Sequence, residues 1–91
     1  MTIQQIANHA LLTYLARRNE AQAILTDVEA GKWSVVAHST AKLSRTTKDA
    51  ACAVAGKTLA DRHVAKVRIL RAKAACYRME ARRLRMRASV I

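Results

Sequence analysis

Five arginines in the last third of the chain, Arg68, Arg71, Arg78, Arg82 and Arg85, are spaced by threes, fours and one seven. On an α-helix such steps return to one side, so the guanidiniums form a row about 25 Å long at the helical rise per residue. No acid falls within that row. Aligned guanidiniums repel one another unless something negative lies along them. Their planar forks match phosphate and carboxylate geometry, whereas an ammonium supplies only a point charge. The chemistry expected is therefore anion recognition, of nucleic-acid phosphates or of an acidic protein surface. The bland alternative is a row that merely solvates an exposed helix edge.

Other chemistry finds little support. His9, His38 and His63 are isolated, and none has a His, Cys, Asp or Glu four residues away to make a helical metal pair. The spaced Cys and His pairs of a zinc site are missing. The six carboxylates are scattered, and no nucleophile stands beside a plausible base. Glu80 reads as an ion-pair partner for basic neighbours on its own helix, including Arg83. Gly56-Lys57-Thr58 resembles the tail of a phosphate-binding loop, but Ala51 stands where that motif needs its first Gly, and an Ala-rich run replaces the strand. No enzyme, metal or cofactor is expected.

The element that must carry the arginines is the stretch 61–91, which has no Gly or Pro and holds ten basic residues against Asp61 and Glu80. It reads as one long helix with two apolar seams. His63, Val67, Leu70, Ala74, Tyr77, Ala81, Leu84, Ala88 and Ile91 make the first; Ala65, Ile69, Ala72, Cys76, Met79, Arg83, Met86 and Val90 make the second. Both step by fours and threes, and they lie roughly 150° apart at the helical period. A surface helix needs one apolar stripe, so two predict contact on two sides, with Val67, Leu70, Tyr77, Leu84, Ile69, Cys76, Met79 and Met86 as packing residues. The second partner is expected to be another helix of the chain or another copy. Arg83 interrupts the second seam, where its stem can lie on apolar surface while its head reaches water.

Ninety-one residues with 19 Ala, no Phe and no Pro favour a single all-α domain, either an antiparallel hairpin or a three-helix bundle with coiled-coil-like packing. Such a thin core would gain from homo-oligomerisation. The net charge of +11 is uneven: residues 1–31 sum to −1, and the rest are strongly basic. That asymmetry predicts an acidic partner for the C-terminal two-thirds. Cys52 and Cys76, with no CxxC, read as buried free thiols in a reducing intracellular setting or inside a virion. No signal peptide and no membrane-spanning run is visible.

Helix 1 is expected over about residues 3–30, with Ile3, Ile6, Ala7, Ala10, Leu11, Tyr14, Ala21, Ile24, Leu25 and Val28 on its packed side and Leu12 and Leu15 astray. Gly31 would close it, Lys32 and Trp33 would turn, with Trp33 plugging the bundle end, and Ser34 would cap helix 2, about residues 34–55. Ser39, Thr40, Ser44, Thr46 and Thr47 weaken that helix, and a break near Ser44–Thr47 is one option. Thr58 to Asp61 resembles a capping box opening helix 3, about residues 58–89, with continuity between helices 2 and 3 as the alternative.

Three roles compete. The first is a self-associating protein that holds nucleic acid by its phosphate backbone, with little sequence readout. The second is a structural or inhibitory interaction factor, an assembly component or viral host-takeover protein, docking an acidic surface. The third and weakest is attachment to an anionic membrane, which normally uses one broad apolar face with Trp or Phe.

Overall fold

The structure is a computed structural model and describes residues 1–90. It is all-helical: α1 spans Ile3–Thr46 and α2 spans Ala50–Ser89, joined by a short turn at residues 47–49 as a two-helix hairpin. Ile91, placed in the first seam, lies outside the described residues.

The ends of these helices are set by short polar side chains. Thr2 and Gln5 form a reciprocal box: the Thr2 hydroxyl accepts from the Gln5 amide at 3.1 Å, and the Gln5 side chain accepts from the Thr2 amide at 2.8 Å. Asp49 caps α2, its carboxylate accepting from the amides of Ala51 at 2.9 Å and Cys52 at 3.3 Å.

Two expected helix boundaries do not form. Gly31 has no positive φ and α1 continues through it, so Gly31, Lys32 and Trp33 are helical and Trp33 plugs no bundle end. Among the described residues there is no third helix. The Thr58–Asp61 box is likewise interior to α2; the Thr58 hydroxyl donates to the Val54 carbonyl at 3.1 Å. Two of the hydroxyls that argued against helix over 34–46 are satisfied within it: Thr40 donates to Val36 O at 2.8 Å and Thr46 to Lys42 O at 3.0 Å. Back-bonding of this kind gives each of these hydroxyls an acceptor inside the helix, at a slight cost in helix stability. The break near Ser44–Thr47 is where the chain turns.

The described chain divides into two compact units, Met1–Thr26 with Lys73–Ile91, and Asp27–Ala72. In the first, Leu12, Ala16, Leu84 and Ala88 form a buried cluster, with Leu15 packed against it. In the second, Ser44 donates its hydroxyl to the Ala53 carbonyl, and Gly56 lies so near Ser44 that an added Cβ would sit 3.1 Å from the serine Cβ. Gly56 is thus a position of close helix approach inside α2.

Burial repeats every seven residues. Ala16, Ala23, Ala30 and Ala37 are buried along α1, and Ala60, Val67, Ala74, Ala81 and Ala88 along α2. Alanine has almost no side chain to hold two helices apart, so the interior is made of small residues. Thr26, also buried, donates to Gln22 O at 2.7 Å and needs no partner across the interface.

The first seam of α2 is where the sequence placed it, from half-buried His63 through Val67, Leu70, Ala74, Tyr77, Ala81 and Leu84 to buried Ala88. The stripe expected to pack on α1 is reversed. Ile3, Ile6, Leu11, Tyr14, Ile24, Leu25 and Val28 are exposed, while Leu12 and Leu15, which stood apart from it, lie in the interior. The pairing favours the face on which alanines allow close approach over the face with the most apolar bulk.

Candidate nucleic-acid interface

All five arginines of the row are exposed side chains of α2. Their surroundings differ between the two units.

In Asp27–Ala72, Arg68 and Arg71 border a shallow groove of about 400 Å³. Val67, Val64 and Ala60 of α2 and Ala37 and Ala41 of α1 floor it, and Ser34 and His38 of α1 join its polar rim. Asp61 is the one carboxylate on that rim. Such a groove can take an anion chain along its edge. Two forked donors are available from one helix, with an imidazole and a hydroxyl from the other. The sequence row did not include His38 or Ser34, because nothing in their spacing on α1 relates them to arginines on α2.

In the other unit, Arg78 and Arg82 border a smaller depression with Glu20, Ile24 and Ala81. Arg85 is engaged by the chain itself. Its Nε donates to Glu20 Oε1 at 2.6 Å and its Nη2 to Oε2 at 2.9 Å, a bidentate fork between helices. The Arg85 hydrogen bond, helped by the Arg85 and Arg17 charges, lowers the Glu20 pKa below its ordinary value. The same contact raises that of Arg85. The row is therefore not uniform: its C-terminal end is tied to a carboxylate of α1, and its beginning lies open beside a groove. Glu80 is 4.0 Å from Arg83, a loose contact one turn apart on α2.

The second seam of α2 is uncovered. Ala65, Ile69, Ala72, Cys76, Met79, Arg83, Met86 and Val90 are all exposed, Met79 and Met86 at 68% and 70%. Within this hairpin, then, α2 is gripped from one side only. The cysteines correct a further expectation: both are free and exposed, because Cys76 stands on the open seam and Cys52 beside the turn.

Trp33, half-buried on α1, meets two side chains of α2. The His63 ring lies 5.0 Å away at 34°, and the Lys66 ammonium stands 3.8 Å over the indole. A cation on an indole face is a stabilising contact even at an exposed residue such as Lys66, and it ties the tryptophan to α2. Among the described residues no three His, Cys, Asp or Glu side chains gather as a metal site, and no helix is long and apolar enough to cross a membrane. No family model matches the chain, and no curated protein or solved structure is significantly similar to it.

Proposed function

We propose that this is a non-enzymatic, self-associating helical protein that binds nucleic acid through the phosphate backbone, using the arginine edge of α2. The observation that carries the reading is the open pair Arg68 and Arg71 beside the groove that also presents His38 and Ser34. Arg82, exposed one and a half heptads further along, extends the same edge. Guanidinium forks on a rigid helix recognise phosphates without reading bases, so affinity should be salt-dependent and nearly independent of sequence. The seven-residue burial repeat supports coiled-coil-like packing of the helix pair that holds this edge straight. Filter binding of a duplex at low salt tests the reading. Retention is expected for the wild type and its loss for a variant with Arg68, Arg71 and Arg82 replaced by Gln; no retention of the wild type would refute it.

A second reading has its own support. The open seam of Ile69, Cys76, Met79 and Met86 suits a partner helix, and arginines beside it suit an acidic protein surface. Pull-down from nuclease-treated lysate separates the two: a protein partner retained after nuclease and at high salt favours this one.

A further inference from the structure

We infer that the outward apolar stripe of α1 within Met1–Thr26 is the surface on which a second copy of this chain docks. The inference rests on the self-association proposed above and names its face. Ile3, Ile6, Tyr14, Ile24 and Leu25 are exposed by 55–87% on the side of α1 turned away from buried Leu12, Ala16 and Ala23. Ala7, Ala10 and Ala21, all exposed, fill the same stripe at steps of three and four; Arg17 lies in it, and Arg18, one heptad before Leu25, lies at its edge. This is the pattern of a helix packed on both sides, with one side uncovered.

Two observations select a second copy as the occupant. The first is area. The chain exposes 6883 Å², about 1,600 Å² more than the roughly 5,300 Å² that mass scaling gives a compact 10.1 kDa monomer. Permanent dimers bury about 1,000–2,500 Å² on each partner, so the excess is of the size that one such interface removes. The second is charge. Copies carrying +11 each repel, and Met1–Thr26, where Arg17 and Arg18 stand against Glu20 for a sum of only +1, is where two of them can approach with little repulsion. The open seam of α2 is a worse place for a second copy, because Arg83 lies in it and Arg82 and Arg87 stand nearby. Pairing through α1 leaves the arginine edge of each α2 uncovered for phosphate, with both copies contributing to one isologous contact.

The experiment is sedimentation equilibrium of the full chain, nuclease-treated and in 0.5 M salt (about a 4 Å screening length), so that nucleic acid bridges no copies. A dimer is expected. Ile6→Glu with Ile24→Glu should weaken it at least 100-fold, and Met79→Gln with Met86→Gln should leave it unchanged. Should the Glu variant lose helicity, cross-linking decides instead. In a Cys52→Ser, Cys76→Ser background, a short bis-maleimide should join copies carrying Ala10→Cys but not copies carrying Met79→Cys. A dimer indifferent to the Glu changes, or captured only through position 79, overturns this face while self-association stands. A wild type that is monomeric, or that leaves solution for neutral lipid vesicles through this stripe, overturns both. Phosphate binding is read separately by salt titration and survives either result.

Discussion

Arg85 holds Glu20 by both carboxylate oxygens, at 2.6 and 2.9 Å, linking α2 to α1 across the helix pair. The contact uses a guanidinium that the row would otherwise present, so under the proposed function Glu20 would compete with a phosphate for it. Glu20→Gln should tighten binding to a duplex at low salt and steepen the log–log salt slope by about 1, the change expected for one added phosphate contact. An unchanged slope would mean that Arg85 does not face the nucleic acid.

The same pair gives a pH dependence of stability. The Glu20 carboxyl has a lowered pKa in the folded chain, so it favours the fold above the ordinary value of 4.5 and ceases to as pH falls through the depressed one. Melting curves of the wild type and Glu20→Gln should differ at neutral pH and converge as the pH is lowered through the depressed value. The pair is solvent-exposed, so the difference at neutral pH should be small.

Gly31 and Gly56 should respond differently to alanine. At Gly31 an added Cβ meets nothing within 4 Å and the backbone is ordinary helix, so Gly31→Ala should stabilise the chain by about 1 kcal/mol. At Gly56 the Cβ would press on Ser44 at 3.1 Å, so Gly56→Ala should gain less or lose. Urea denaturation measures both. Destabilisation by Gly31→Ala would restore the turn that the sequence suggested there.

That turn shows where the sequence could be read and where it could not. The first seam of α2, His63 to Ala88, was legible residue by residue, because apolar positions there recur at helical spacing with arginines between them. On α1 the criterion failed. Ile3, Tyr14 and Ile24 outweigh Ala16, Ala23 and Ala30 in apolar bulk, yet the alanines are inside. Apolar bulk did not decide the intrachain pairing; close approach did. Gly31 and Trp33 looked like a turn because local signals cannot register that α1 has a partner alongside it at those positions. The arginines were legible as a row, but their division was not: Glu20 is 65 residues from Arg85, and only the hairpin brings them together.

The alanine interior should resist enlargement. Ala23→Leu, at a buried position of α1, should cost about 1–3 kcal/mol by forcing the helices apart. Ala55→Leu, at an exposed position of α2, should stay within about 0.5 kcal/mol for a surface site. Equal effects in thermal or urea melts would place the interface elsewhere.

Beside the turn, the Asp49 carboxylate caps α2. Asp49→Ala removes the acceptor for the Ala51 and Cys52 amides and should cost about 1 kcal/mol in urea denaturation. Asp49→Asn should recover most of that, because the amide oxygen can still accept.

The most direct measurement is the salt dependence of duplex DNA affinity, by fluorescence anisotropy, for the wild type and the variant with Arg68, Arg71 and Arg82 replaced by Gln. Three phosphate contacts correspond to a log–log slope change of about 2.7. The wild type should lose affinity steeply as salt rises, irrespective of base sequence, and the variant's slope should be shallower by about that amount. A wild type that does not bind at low salt, or a variant with the wild-type slope, would contradict the assignment of that edge to nucleic acid.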